Sequence, residues 1–461
     1  MRGHFYFGPF RDGFLLTGDT GCWQFLTKEQ FQAFTDGSMP ADSPVYRALE
    51  DNRFCYSGSA EAYIQASIDE IRSGSSYLFE ATSLFIFAVT NECNNRCVYC
   101  QANGCGRLSR MTEKVAEAAL RRIAGTPARS ITIEFQGGEP LMNFPVIRYI
   151  VLNAERLIPD KEIQFTLVSN LSLLTDEIAV FLKDHRVSVS TSLDGDRDLH
   201  DLNRPAADGT SSFDNMLAGK ARLEKLGMKT GAIQTTTARA LERPEKIIRT
   251  YADLGYNQVF LRPLTRLGSA ARRWAEIGYT PEQFLAFYRK ALKEIIRLNR
   301  EGVPMVEYHA ALLLSKMMNG KAVNYMELRS PCGAGLGQVA ITANGNVYTC
   351  DEGRMIAETG DEAFLIGNVF KDGYDDWISS SCCRAVCSAS LLETLPGCCD
   401  CVYKPYCGVC PVVNYAINGN ITWISRDRCA IYKGILDTLF GYLADGNEEI
   451  LSLFRSWSES V

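Results

Sequence analysis

The chain holds 461 residues, 46% of them hydrophobic and 22% charged, with a formal net charge of −6. That balance is ordinary for a soluble globular chain and argues against a polyanion-binding surface, so no nucleic-acid partner is expected. No apolar run approaches the roughly 18 residues of a membrane span, and Met1-Arg2-Gly3-His4 leads into polar and aromatic residues without a signal-peptide core. A cytoplasmic protein of two or three domains, with no membrane partner, is the expectation. Seventeen cysteines are odd in a reducing compartment, where disulfides are rare. Eleven of them lie from Cys332 onward, a crowding that reads as metal binding.

Residues 1–80 read as a small separate unit. Phe5-Tyr6-Phe7 and Phe14-Leu15-Leu16 flank a Gly/Pro/Asp turn region, which predicts a hairpin. Thr27-Lys28-Glu29-Gln30 is a capping box, with Phe31 and Phe34 following on one helical face. Ser43-Pro44 opens a second helix whose apolar side is Val45, Tyr46 and Leu49.

From about 82 to 300, strands and helices alternate. Strands are expected at 84–90, 130–135, 163–168, 187–193, 229–237 and 257–262, with helices such as 111–124 and 213–227 between them. Six βα units imply a parallel sheet with helices outside. Directly after the first of these strands come Cys93, Cys97 and Cys100, spaced C-x3-C-x2-C. A fully ligated iron–sulfur cluster takes four thiolates and a structural zinc site four ligands, so three close cysteines leave one metal position open to a small molecule. Loops at the C-terminal ends of parallel strands are where α/β barrels place their chemistry.

Further strand ends carry polar residues. Gln136-Gly137-Gly138-Glu139-Pro140 follows the second strand, and its glycines permit close backbone approach to a ligand. Ser169-Asn170 ends the third strand. Ser192-Leu193-Asp194-Gly195 ends the fourth, followed by His200-Asp201 and Arg204; Leu261-Arg262-Pro263 ends the sixth.

After 300 the pattern changes. Residues 308–318 read as a helix. Cys332 and Cys350 then flank a strand-turn-strand with Asn344-Gly345 at its turn. Cys398, Cys401, Cys407, Cys410 and Cys429 follow.

The C-x3-C-x2-C loop with Tyr99 before its last cysteine resembles the radical S-adenosylmethionine (SAM) enzymes. Gly137-Gly138-Glu139-Pro140 resembles their GGEP motif, and Ser192 to Arg204 their SLDG…HD…R stretch. The resemblance implies a partial (β/α)6 barrel over 81–305. There Cys93, Cys97 and Cys100 hold a 4Fe-4S cluster whose fourth iron is chelated by SAM, which is cleaved to a 5′-deoxyadenosyl radical. It assigns SAM contacts to Gly137, Gly138, Glu139 (accepting from the ammonium), Pro140, Ser169, Asn170, Ser192, Asp194 and Arg204 (on the carboxylate). Tyr99 is placed near cluster and adenine, Arg262 near adenine, and His200 as a local structural partner.

The later cysteines match the SPASM domain of peptide maturases, expected over 306–461. Family order implies a first auxiliary 4Fe-4S cluster on Cys332, Cys350 and Cys410, and a second on Cys398, Cys401, Cys407 and Cys429. Cys332 lacks the usual companion cysteine a few residues on. The first cluster therefore either keeps an open iron or borrows a thiolate from Cys382, Cys383 or Cys387. Cys22, Cys55, Cys105 and Cys399 read as free thiols. Asp351, after Cys350, matches the aspartate that deprotonates substrate in sulfatase-maturing relatives.

In this context residues 1–80 resemble the winged-helix-like element that takes a leader peptide by strand addition. The opening from Phe10 to Phe34 resembles the maturases of the His-Xaa-Ser system. The implied partners are a precursor peptide and a flavodoxin- or ferredoxin-type electron donor. Two other readings stay open: a sulfatase-type or other protein-modifying radical SAM dehydrogenase, and a non-catalytic zinc-ribbon binding protein.

Overall fold

The computed structural model describes residues 1–102 and 109–461; Cys105 lies outside them. Near the N-terminus, β1 (Tyr6–Phe10), β2 (Gly13–Thr17) and β3 (Trp23–Thr27) form an antiparallel sheet with β2 in the middle. Strand periodicity divides its side chains between two cores. Leu16 and Leu26 join Phe34, Leu49 and Phe54 beneath the unit's own helices. Leu15, the next residue along from Leu16, belongs to the main core, and Phe10, Trp23 and Phe25 pack against Phe440.

The capping box of Thr27 and Gln30 starts the helix Lys28–Asp36, and Ser43 with Pro44 starts Pro44–Asp51. β3 and the helix Ala60–Gly74 have no counterpart in the sequence reading. β3 is apolar on both sides because both are covered, which removes the alternation that marks a half-exposed strand.

The next strands are β4 (Leu84–Thr90), β5 (Ser130–Gly137), β6 (Glu162–Val168), β7 (Ser188–Ser192), β8 (Thr230–Thr235) and β9 (Gln258–Arg262). All pair in parallel and in sequence order, as six βα units require. Helices such as Glu113–Ile123 and Phe144–Leu157 bury an apolar stripe against them. β10 (Val306–Glu307) extends the β9 edge.

On the opposite edge, β11 (Gln338–Thr342) pairs in parallel with β4, and β12 (Asn346–Tyr348) and β13 (Leu365–Asn368) continue antiparallel. Gly345, at φ 85°, makes the turn between β11 and β12. One ten-stranded sheet thus runs through both the barrel segment and the cysteine-rich segment. Among the described residues no helix is long and apolar enough to cross a membrane.

Candidate active site

The Cys93–Cys100 loop is held from three sides by backbone hydrogen bonds. Gly138 N donates to Thr90 O (2.9 Å) and Glu139 N to Glu92 O (2.8 Å). A Cβ on Gly137 would lie 2.1 Å from Thr90 O, and one on Gly138 2.2 Å from Glu92 O, so only glycines fit against the chain entering the loop. On the second side, Arg96 N donates to Pro205 O and Val98 N to Asn203 O, both at 2.8 Å. On the third, Ser269 N donates to Cys100 O (2.9 Å).

Glu139 is 1% exposed. Its carboxylate accepts from Ser169 Oγ (2.7 Å), Asn170 N (2.8 Å) and Leu141 N (3.1 Å), tying the end of β5 to the end of β6. Burial raises its pKa, and these donors oppose the rise. Pro140 opens the turn Pro140–Asn143. The Asn143 amide then bridges Val89 O and Met111 O. The Asn170 amide donates to Asn94 Oδ1 (2.9 Å), beside Cys93.

Ser192 is half-buried at the end of β7. Asp194, fully buried, accepts from Tyr99 Oη (2.7 Å), Asn203 Nδ2 (3.1 Å) and Arg204 Nε (3.1 Å). The Arg204 guanidinium lies 5.2 Å over the Tyr99 ring. Asp194, expected among the SAM contacts, is enclosed by these partners and holds Tyr99 and Arg204 in place. Arg204 itself has its Nε committed to Asp194, a charge-assisted bond that orients the fork. His200 Nδ1 accepts from the Asp194 amide, and burial lowers its pKa to about 4, leaving a neutral structural partner. Arg262 is drawn to Glu327 (3.3 Å) and Glu352 (3.5 Å) of the cysteine-rich segment.

The thiols fall into sets. Cys93 feels Cys97 and Cys100, and burial lifts the Cys93 and Cys97 thiols to about 12. Cys332, Cys350 and Cys410 share one buried apolar cluster, and each also feels Glu352. Lys433 senses Cys398, Cys401, Cys407 and Cys429 together. Cys382 packs at the edge of the Cys332 set, and Cys383 feels both Cys382 and Cys387. Cys22, Cys55 and Cys399 stand outside all three sets.

Among the described residues no group of three or more His, Cys, Asp or Glu is arranged to hold a metal ion. The donor chemistry fits iron–sulfur clusters. The sets are sulfur-rich, and backbone amides point at sulfur, Asn95 N at Cys93 Sγ (3.4 Å) and Gly353 N at Cys350 Sγ (3.3 Å). Such bonds favour the thiolate that a cluster requires.

Asp351 opens the short helix Asp351–Ala357. Arg354, 1% exposed and one turn on, donates to its Oδ1 through Nε (2.9 Å) and Nη2 (2.6 Å). The field of Asp351 reaches Glu134 on β5, and that of Cys100 reaches Arg354. Asp351 thus stands between the Cys332 set and the Cys93 loop. Arg354 has no place in the sequence reading, although the i, i+3 spacing Asp351-x-x-Arg354 is the available signal.

A family model described as the radical SAM superfamily matches residues 87–241. Uncharacterised proteins of Methanocaldococcus jannaschii and Methanothermobacter thermautotrophicus are 30% and 32% identical over 174 and 190 residues. These stretches are 38% and 40% of this chain and 60% and 69% of theirs. A cysteine-type anaerobic sulfatase-maturating enzyme of Clostridium perfringens is 22% identical over 283 residues, 58% of this chain and 74% of that one.

A solved structure of anSMEcpe with bound AdoMet superposes with TM-score 0.69 at 17% identity, covering 80% of this chain and 100% of that one. Streptococcus suis SuiB bound to precursor peptide SuiA does so with TM-score 0.56 at 14% identity, covering 93% and 100%. The matched segment carries the cysteine loop and its glycine clamp, and the chain belongs to the radical SAM superfamily, whose members are enzymes that cleave S-adenosylmethionine reductively.

Proposed function

We propose that this protein is a maturase that modifies a ribosomally made precursor peptide, abstracting hydrogen from one residue and forming a cross-link. Cys93, Cys97 and Cys100 would hold the SAM-binding 4Fe-4S cluster. Cys332, Cys350 and Cys410 would hold a first auxiliary 4Fe-4S cluster, and Cys398, Cys401, Cys407 and Cys429 a second. When bound, the cluster on Cys93, Cys97 and Cys100 and SAM would supply the 5′-deoxyadenosyl radical; the protein supplies position and exclusion of water. A flavodoxin- or ferredoxin-type donor would supply the electron for cleavage.

The observation that carries the peptide reading is the docking of the N-terminal sheet on the second auxiliary cysteine loop. Thr17 Oγ1 donates to Val402 O (2.6 Å), Tyr406 Oη to Gly21 O (2.9 Å) and Lys404 Nζ to Tyr6 Oη (2.6 Å). β1 and β3 are its edges among the described residues, and an edge strand can be extended by a peptide.

Within the barrel, Glu139 and Asn170 order the loop of Cys93, while Tyr99, Asp194 and Arg204 form one rigid unit beside Cys97. The Arg204 fork and the backbone of Gly137 and Gly138 are proposed to receive SAM's charged end. Asp351, oriented by Arg354, is proposed to take the proton lost after hydrogen abstraction, and an auxiliary cluster held by the later cysteines would accept the remaining electron.

Anaerobic coexpression with the short open reading frames that neighbour the gene, followed by mass spectrometry of each peptide, tests this function. A mass loss of two hydrogens confined to one peptide is expected. Unchanged peptides alongside formation of 5′-deoxyadenosine would refute it. A sulfatase-type reading is favoured by one feature, Asp351 directly after Cys350. Oxidation of a cysteine-containing sulfatase peptide would establish that reading instead.

A further inference from the structure

Between the end of β9, the helix Tyr308–Asn319 and the helix Arg426–Asp445 lies a cavity of about 50 Å³. Its walls include Phe260, Leu264, Val413 and Ile431, and its polar side is His309, Arg428, Arg262, Glu327 and Tyr432. His309 is 1% exposed, and neither ring nitrogen has a hydrogen-bond partner among the described residues. Arg428 Nε is likewise buried and unpartnered there. Leaving buried donors and acceptors unmatched is costly, so such atoms point to a group that meets them.

The charges of this cavity are already matched. Glu327 is shared by Arg428 (3.0 Å), Arg262 (3.3 Å) and the Tyr432 hydroxyl (2.8 Å), and Arg262 also meets Glu352 (3.5 Å). At the mouth, Arg266 meets Asp427 (3.2 Å). An ionised ligand group would therefore be desolvated without a counter-charge. A neutral imidazole offers one N–H and one lone pair, and Arg428 adds an N–H. Burial keeps His309 neutral, its pKa lowered to about 4. The two ring nitrogens point away from each other, so one carboxamide meets one of them together with Arg428, its NH₂ donating to the imidazole lone pair and its oxygen accepting from Arg428 Nε. A carboxylate would set oxygen against the imidazole lone pair, and an ammonium would face two donors.

We propose that this cavity is a specificity pocket for a carboxamide side chain, Asn or Gln, of the substrate. The residue so held sits next to the chemistry: Glu352, on Arg262, directly follows Asp351, and the field of Cys410 reaches Arg428. A surface groove that shares Ile417, Ser425 and Asp427 with the cavity and carries the exposed Trp423 gives an extended chain its approach. The identity of the substrate as a peptide rests on the maturase reading; the pocket's preference does not.

The test uses the cluster-reconstituted, SAM-loaded full-length protein. N-acetyl-L-glutamine methylamide is titrated against it calorimetrically, beside the glutamate and norleucine analogues. The glutamine probe is expected to bind about ten-fold or more tighter than either, the scale set by unmatched buried hydrogen bonds. In anaerobic crystal soaks its carboxamide should lie on His309 and Arg428. His309→Phe, similar in shape but without ring nitrogens, should reduce glutamine binding to the norleucine level. Equal affinities, preference for glutamate, or ordered waters alone at His309 in the soaked crystal would overturn the pocket. If His309→Phe fails to fold, the three probes and the parent crystal still decide. Failure of the maturase reading shows separately, as unmodified peptides despite selective glutamine binding.

Discussion

Arg354 holds Asp351 from one helical turn away, at 2.6 and 2.9 Å, with the arginine almost completely buried. The pair joins the residue after Cys350 to the face of the barrel where Cys100 lies. A buried arginine fixes its partner carboxylate in position, the condition for accepting a proton at a defined place.

Asp351→Asn keeps the shape and removes the base. SAM cleavage should persist, with deuterium passing from labelled peptide into 5′-deoxyadenosine, while modified peptide falls about 100-fold or more. Product at the parent rate with the clusters intact would show that Asp351 is not the base. Arg354→Met should lower product formation while leaving deuterium transfer measurable, separating orientation of the carboxylate from radical formation.

Replacing Cys93, Cys97 and Cys100 together by Ala removes one thiol set and leaves the other two. Formation of 5′-deoxyadenosine should disappear, and about 8 of about 12 iron atoms per chain should remain, by a count of four per cluster. Continued SAM turnover in this variant would sink the assignment of the loop.

Iron in the parent protein measures the cysteine-rich segment directly. About 12 iron and 12 sulfide per chain are expected after anaerobic reconstitution. A value near four would mean that Cys332 to Cys429 serve another purpose; zinc in place of iron would favour the binding-protein alternative.

Leader binding should be visible in the whole enzyme by hydrogen exchange. Titrating a precursor peptide should slow exchange in β1 or β3, because strand addition gives edge amides new partners. Tight binding with no change in either strand would rule out the edge as the docking place.

His309 makes stability depend on acidity. Its folded pKa, about 4, lies below the ordinary 6.5, so the unfolded chain takes up the proton first. Stability is therefore intact above pH 6.5 and falls as pH drops toward 4, by on the order of 3 kcal/mol for this one group. Arg262 and Arg428 oppose protonation within that environment, and Glu327 favours it. The urea midpoint should fall less between pH 7 and 5 in His309→Phe than in the parent; equal losses would place His309 in water.

Local sequence carries much of this protein. The strands expected from 84 to 262 match β4 to β9 within a few residues, since β4 is an apolar run and most of the others alternate buried apolar with polar residues between helical segments. The capping box at Thr27, the Pro44 helix start and the Asn344-Gly345 turn were equally legible, because each depends on neighbours in the chain. What folding alone decided involves distant partners. β11 joins β4 across some 250 residues, and apolar pattern cannot say which edge a strand will choose. Asp194 was legible as a polar strand end, but its enclosure by Tyr99, Asn203 and Arg204 depends on three segments converging. Arg262, Glu327 and Arg428 lie far apart in sequence, and only the packing of β9 against the C-terminal helices makes them one ionic group, because a buried charge must find its counter-charge wherever the fold supplies it.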